Sequence, residues 1–252
     1  MNIVAIVQAR MGSSRLPGKV LTEIAGVPML ARIIQRISAT PDIDKIVVAT
    51  TIAEEDDTLA DWITEQGVAF CFRGSENDVL DRFYQCAKLH NADLIVRVTA
   101  DDPLKDPTII QKAIDFFLFD PSLDYCSNTI KPTYPEGLDI EVFKYAAIER
   151  AWRDALLPSE REHVTPYIWK NINLFNILNF EYKRNLSSWR WTVDKPDDLK
   201  FINKILHHFK DDPLVNFEDV IQYLETNPDI IKINEGTVRN EGYIKSIREE
   251  IL

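Results

Sequence analysis

NIVAIV (residues 2–7) followed by QARMGSSRLPGK (residues 8–19) is the stretch that decides the fold. The first six residues form an apolar run typical of a buried strand, and the next twelve are polar and rich in glycine and cations. In open parallel sheets, ligands bind in the crevice beyond the carboxyl ends of the strands. The stretch therefore predicts the first strand of an α/β protein and a ligand-binding loop directly after it.

Strand and helix patterns alternate along the rest of the first hundred residues. Such alternation implies right-handed crossovers, and hence a three-layer α/β/α, Rossmann-like fold with a mainly parallel sheet. We predict helices over residues 29–37, 56–65 and 77–89, and strands over residues 45–50, 68–72 and 93–99.

The alternation weakens beyond residue 108, which indicates a smaller mixed region. We expect one domain over residues 1–252, within which residues 125–190 serve substrate binding or dimerisation. The predicted helices there end near residue 119, span residues 145–153 and begin near residue 196, and the predicted strands lie near residue 125 and over residues 138–143, 175–180 and 189–193.

The composition excludes several classes of function. A net charge of -11 argues against a broad nucleic-acid surface, which requires a surplus of Lys and Arg. The N-terminal run is too short for a signal peptide and no stretch is long enough to span a membrane, so we expect a cytoplasmic protein. Cys71, Cys86 and Cys126 form no C-x-x-C pair and are predicted to be buried free thiols.

The loop of residues 8–19 has the composition of a phosphate-binding loop. Glycines let backbone N–H groups approach an anion, and Arg10, Arg15 and Lys19 neutralise its charge. It is not a Walker A loop, because position 13 is Ser and Lys19 is followed by Val20. A solvated basic turn is the simpler alternative.

The string QARMGSSRLPGKVL (residues 8–21) resembles the signature loop of the cytidylyltransferase family that includes the CMP-Kdo and CMP-acylneuraminate synthetases. The closest resemblance is to the spore-coat polysaccharide branch, and it covers nearly the whole chain. It implies a nucleotide-diphospho-sugar transferase-like fold, a homodimer, and transfer of CMP from CTP to an acidic sugar in surface or spore-coat polysaccharide biosynthesis. It also implies CTP contacts from Gln8, Ala9, Arg10, Gly12, Ser13, Arg15 and Lys19.

Two acidic segments resemble the family's metal-binding positions. Asp101 follows the strand of residues 93–99, and Asp194 follows the predicted strand of residues 189–193. Mg²⁺ prefers one or two carboxylates together with phosphate oxygens and water, so we expect these two aspartates to hold it. The alternatives are a turn at Asp101 and Asp102 and a helix cap at Asp194. With Arg10 and Lys19, the two aspartates form the predicted catalytic group.

The loop after the third strand lies where the family binds cytosine, and Arg73 is the predicted base contact. Capping of the next helix by Ser75 or Asn77 explains most of the polar residues there equally well.

Acceptor residues are predicted from segments that resemble the spore-coat branch. Asp139 and Glu141 alternate with apolar residues, so both carboxylates face one side of a strand and could bind sugar hydroxyls or an amine. Arg161 and His163 could reach the acceptor, and Arg190 could bind an acceptor carboxylate through its two-pronged guanidinium. A solvated sheet face and a structural histidine are the alternatives. A transferase using a nucleotide-sugar and a non-catalytic nucleotide-binding module remain the other functional hypotheses.

Overall fold

The computed structural model describes residues 1–13 and 15–251. Seven of its strands form one sheet in the order β5-β4-β1-β6-β8-β7-β9, and β2 and β3 form a separate hairpin. The strands are β1 (Ile3–Gln8), β2 (Glu23–Ile24), β3 (Val27–Pro28), β4 (Lys45–Thr51), β5 (Phe70–Gly74), β6 (Leu94–Thr99), β7 (Tyr125–Ser127), β8 (Glu141–Lys144) and β9 (Ile177–Asn179).

Helices cover both faces of the sheet, as predicted. The side chains of β1 alternate between two apolar cores: Ile3, Ala5 and Val7 face one, and Val4 and Ile6 face the other. The helices are α1 (Met29–Ser38), α2 (Asp57–Gln66), α3 (Val79–Leu89), α4 (Pro107–Phe119), α5 (Tyr145–Asp154), α6 (Pro158–His163), α7 (Pro166–Lys170), α8 (Pro196–His208), α9 (Phe217–Thr226), α10 (Pro228–Ile231) and α11 (Glu241–Ile251).

The sheet is parallel from β5 to β6 and mixed beyond it. β1 pairs in parallel with β4 and β6, whereas β8 pairs antiparallel with both β6 and β7. The carboxyl ends of β1 and β6 are therefore adjacent, with Gln8 opposite Thr99. The predicted fold class is confirmed, and the mixed region begins where the alternation of the sequence weakens. Across the described residues, no helix combines the length and apolar character needed to cross a membrane.

Four local predictions were wrong. Residues 189–193 form no strand, because this segment pairs only at Arg190, in a single bridge with Glu136. The strand predicted over residues 138–143 begins at residue 141. Asp78, which accepts a hydrogen bond from the N–H of Asp81, caps α3 in place of Ser75 or Asn77. Cys71 is only partly buried, since it lies on the edge strand β5.

Candidate active site

A cavity of about 230 Å³ lies at the carboxyl ends of β1 and β6, and we call it the loop cavity. The loop of residues 8–19 begins there, and the buried carboxylate of Asp56 anchors it by accepting a 2.6 Å hydrogen bond from the Met11 N–H. The loop closes at Gly18, which has a positive φ of 69°. The cavity is lined by Gln8, Ala9, Arg10, Ser13, Arg15, Lys19, Val20, Thr99, Ala100, Asp101 and Asp194.

The ammonium of Lys19 joins the loop to both predicted metal-binding aspartates. It donates to Asp101 Oδ2 at 2.9 Å, to Asp194 Oδ1 at 2.7 Å and to the Val193 carbonyl at 2.9 Å. Burial lowers the pKa of Lys19, but attraction to the two carboxylates outweighs burial and raises it. Burial likewise raises the pKa of Asp101, and the Lys19 charge overcomes this and brings it to about 2. Lys19 and Asp101 are therefore both charged at neutral pH.

The same two carboxylates could bind a divalent cation whose remaining ligands come from the substrate and water. One oxygen of Asp101 and one of Asp194 already converge on a single positive centre, the Lys19 ammonium. In the described part of the chain, no group of three or more His, Cys, Asp or Glu side chains could hold a metal ion. Two carboxylates are too few for an all-protein cage but suit Mg²⁺ that also binds phosphate oxygens and water.

A second cavity of about 450 Å³, the central cavity, opens from the loop cavity toward the antiparallel strands. The two cavities share Arg15, Thr99, Asp101 and Asp194. Other residues that line the central cavity come from the mixed region and the C-terminal helix, and include Asp139, Glu141, His163, Trp169, Arg190 and Tyr243. A ligand in the loop cavity and a ligand in the central cavity would therefore meet at the two aspartates.

Glu141 is a buried carboxylate in the lining of the central cavity. Its carboxylate pairs with Arg97 and accepts hydrogen bonds from the hydroxyls of Tyr125 and Thr165. Asp139 precedes β8, lies in the same cavity and pairs with Arg239. The surroundings of Glu141 are thus protein rather than solvent.

Asp102 and Lys105 form a buried pair beside Asp101. Lys105 Nζ lies 2.8 Å from Asp102 Oδ2, and both side chains are almost fully buried. Burial raises the pKa of Asp102 to about 6, with the charge of Asp101 acting in the same direction and Lys105 opposing it. The pair lines the central cavity but directs its charges at each other.

Arg190 is surrounded by three carboxylates of the protein. Its guanidinium contacts Glu136 at 2.6 Å, Asp194 at 2.8 Å and Asp198 at 3.0 Å, and the side chain is 4% exposed. Asp198 also accepts hydrogen bonds from the backbone N–H groups of Asp194 and Lys195. Arg190, predicted to bind an acceptor carboxylate, is thus placed where it fixes the position of Asp194.

His163 reaches the central cavity, whereas Arg161 does not line it. The His163 ring lies 3.0 Å from the Ser246 hydroxyl and edge-on to Tyr243, and burial lowers its pKa. Arg161 pairs with Asp78 and donates to the Trp152 carbonyl.

A third cavity of about 440 Å³, the side cavity, adjoins the loop cavity through Arg10. Its lining also includes Asn77, Asp78 and Arg161, so the loop predicted to meet cytosine does contribute to it. Arg73 is placed elsewhere. It donates to the carbonyls of Thr51 and Ala53 and pairs with Asp57 at 2.6 Å, and the described linings of the three cavities do not include it.

The sequence analysis did not predict four charged residues of the central cavity: Arg97, Lys105, Glu136 and Glu241. Arg97 carries a recognisable signal, because it is the single charge within the otherwise apolar or hydroxyl-bearing strand β6. A charge in such a strand requires a partner, here Glu141. Lys105 and Glu241 carry no such signal, since their partners lie in other segments or in turns.

A Rossmann-like sheet, a glycine-rich cationic loop at its carboxyl edge and two aspartates across that loop define a nucleotide-dependent transferase. The cytidylyltransferase family model matches residues 4–212. The chain belongs to the cytidylyltransferase family and is a CTP-dependent nucleotidyltransferase.

Proteins similar to this chain agree with that family. The spore coat polysaccharide biosynthesis protein SpsF of Bacillus subtilis is 33% identical, over 90% of this chain and 96% of its own length. A cytidylyltransferase structure from Leptospira borgpetersenii superimposes with a TM-score of 0.89 at 32% identity, covering 95% of this chain and 100% of that one. A 3-deoxy-manno-octulosonate cytidylyltransferase of Trichlorobacter lovleyi is 37% identical over 49% of this chain and 48% of its own length.

Proposed function

We propose that this enzyme transfers CMP from CTP to a hydroxyl of a sugar, with release of pyrophosphate, in the synthesis of a surface polysaccharide. The observation that carries the proposal is the position of Asp101 and Asp194 at the junction of the loop cavity and the central cavity. A reaction that joins a nucleotide to a second substrate needs its charged groups at such a junction, where the bond forms.

The two substrates are assigned to cavities by charge. Arg10, Arg15 and Lys19 give the loop cavity the cations that a triphosphate requires, and the adjoining side cavity can take the nucleoside. The central cavity has paired charges, hydroxyls and two aromatic rings, which suits a polar sugar with an apolar face. The sugar oxygen then bonds to the α-phosphorus, the bond from that phosphorus to the pyrophosphate oxygen breaks, and the hydroxyl proton passes to water.

Magnesium is part of the proposal. Asp101 and Asp194 would hold it, and when bound it supplies a Lewis acid for the phosphate oxygens. Lys19, which now neutralises both aspartates, would then be available to the phosphates. Most of the rate acceleration would come from positioning and charge neutralisation.

The relatives support the class of acceptor. SpsF is named for spore coat polysaccharide biosynthesis, and the Trichlorobacter relative is named a 3-deoxy-manno-octulosonate cytidylyltransferase. We propose a sugar acceptor of that general kind, which Asp139 and His163 contact from the described cavity wall.

The test is a pyrophosphate-release assay with Mg²⁺, each of the four nucleoside triphosphates, and a panel of acidic, neutral and amino sugars. We expect release with CTP and with a subset of the sugars. Release from CTP with none of these sugars, or an equal rate with all four triphosphates, would contradict the proposal. A diphospho-sugar substrate in place of CTP tests the alternative transferase.

A further inference from the structure

Four residues at the start of the C-terminal helix line the central cavity: Asn240, Glu241, Gly242 and Tyr243, which we call the C-terminal wall. The family model ends at residue 212, so the wall lies outside the part of the chain that the family model matches. The sequence alone gives this segment no role. Its position shows that it closes the acceptor side of the proposed active site.

The carboxylate of Glu241 attaches the C-terminal wall to the nucleotide side. Glu241 Oε2 lies 2.9 Å from the guanidinium of Arg15 and 3.2 Å from the ammonium of Lys195. Arg15 uses its other terminal nitrogen for Asp194, at 2.9 Å. Both ends of the Arg15 fork are thus occupied by carboxylates.

A triphosphate that binds Arg15 competes with these two carboxylates for the same guanidinium. Asp194 is 16% exposed and is also held by Lys19 and Arg190, whereas Glu241 is 46% exposed. An exposed carboxylate recovers its hydration when it leaves an ion pair, so its release costs little. Glu241 is therefore the group that the phosphates displace.

We propose that Glu241 is a positioning residue: it holds Arg15 and Lys195 in the empty enzyme, and CTP displaces it and loosens the C-terminal wall for the acceptor. The inference rests on the proposed function, because it takes Arg15 to be a ligand of the triphosphate. It adds that the binding of CTP promotes the binding of the acceptor, so CTP binds first.

Other contacts keep the wall attached when Glu241 is released. The Asn240 N–H donates to Glu136 at 2.9 Å, and Arg239 pairs with Asp139 and donates to the Tyr134 carbonyl. The ring of Tyr243 packs edge-on against Trp169. The wall is thus held at its N-terminal side and against the aromatic cluster, and release of Glu241 loosens the first turn of the helix without unfolding the rest of it.

The test measures CTP binding by calorimetry in the presence of Mg²⁺ and without an acceptor. Glu241→Gln removes the competing charge, so we expect its Kd for CTP to be about three- to tenfold lower than that of the wild type. Glu249→Gln makes the same change on the exposed surface of the same helix, where its partner is Lys245, and should bind CTP as the wild type does. CMP lacks the outer phosphates, so its Kd should be the same for the wild type and the two variants.

Hydrogen exchange gives a second readout. In the wild type, CTP with Mg²⁺ should speed exchange of the amides of residues 240–246. In Glu241→Gln the exchange should be fast before CTP is added. Equal CTP affinity of Glu241→Gln and wild type, or slower exchange of this segment on binding, overturns the inference alone. Failure of the wild type to bind CTP overturns the proposed function and this inference together.

Discussion

In the parallel half of the sheet, the candidate site residues follow directly from strand ends, whereas in the antiparallel half they are held by ion pairs between segments far apart in the sequence. Asp101 lies two residues beyond β6, and Arg10 two beyond β1. On the other side, Arg190 pairs with Glu136 and Arg239 pairs with Asp139. The proposed nucleotide side is thus set by strand order, and the proposed acceptor side by charge pairing.

This difference predicts two kinds of effect of substitutions. A substitution on the nucleotide side should mainly affect the reaction, because the surrounding strands hold their place through an apolar core. A substitution in the ion pairs of the acceptor side should mainly affect stability, because a buried charge then loses its partners.

The largest effect on stability is expected for Arg190→Met. It leaves Glu136 and Asp198 buried without their cation, so the free energy of unfolding should fall by about 3–5 kcal/mol. Urea unfolding measures the change. Lys200→Met is the matched control, because it removes an exposed ion pair on α8. It should change the free energy of unfolding by about 0.5 kcal/mol or less. A loss as small as the control's would show that charge pairing does not hold the acceptor side.

The largest effect on the reaction is expected for Asp101→Asn. The substitution keeps the shape of the side chain but removes one of the two charges at the junction of the cavities, so turnover should fall about 10²- to 10³-fold. The loss of stability should be smaller than for Arg190→Met, because Lys19 retains Asp194 and the Val193 carbonyl. Pyrophosphate release and urea unfolding of the same samples test both statements. If Asp101→Asn turns over at the wild-type rate, Asp101 is not part of the active site.

Two glycines with positive φ sharpen the comparison. Gly137 has a φ of 105°, and a Cβ there would lie 2.7 Å from the backbone carbon of Trp191. We expect Gly137→Ala to lower the free energy of unfolding by about 2–3 kcal/mol, from backbone strain and overlap together.

Gly18 is the matched case on the nucleotide side. A Cβ there would meet only Met11 Cε, at 3.5 Å, so Gly18→Ala should cost about 1 kcal/mol. Thermal and urea unfolding give both values, and equal costs would contradict the close approach of the Gly137 loop to Trp191.

The smallest effect concerns pH and His163. Burial lowers its pKa in the folded protein, against the attraction of Glu162. The unfolded chain therefore binds a proton first as pH falls below about 6.5, and stability decreases in that range. His163→Gln should lose less stability than wild type between pH 7.5 and 5, by about 1 kcal/mol or less. Urea unfolding at both pH values, with exposed His207→Gln as control, measures it. An identical pH dependence would place His163 in contact with solvent.

The sequence predicts one half of the site better than the other for a physical reason. Apolar periodicity locates β1, β4 and β6, and the rule that ligands bind at the carboxyl ends of parallel strands then locates the loop and Asp101. No comparable rule states which carboxylate a given arginine will contact. Arg73 and Arg190 illustrate this, since both are chemically suited to a ligand but are occupied by groups of the protein.

The Trp189 to Val193 segment shows the same limit in secondary structure. Its alternation of residues is typical of a strand, but a strand also needs a neighbour along its length, and here the segment meets one only at Arg190. The C-terminal wall is a stronger case, because nothing in its local sequence indicates that it contacts a loop more than two hundred residues away.

The sequence by itself determined the layers of the fold, the cationic and glycine-containing character of the first loop and the family, because these depend on local periodicity and on residue types at fixed spacing. Only the tertiary structure decided that Lys19 joins Asp101 to Asp194, that Arg190 contacts Asp194, and that Glu241 joins the C-terminal wall to the first loop through Arg15. These contacts depend on where distant segments meet in space, which the packing of the whole chain sets.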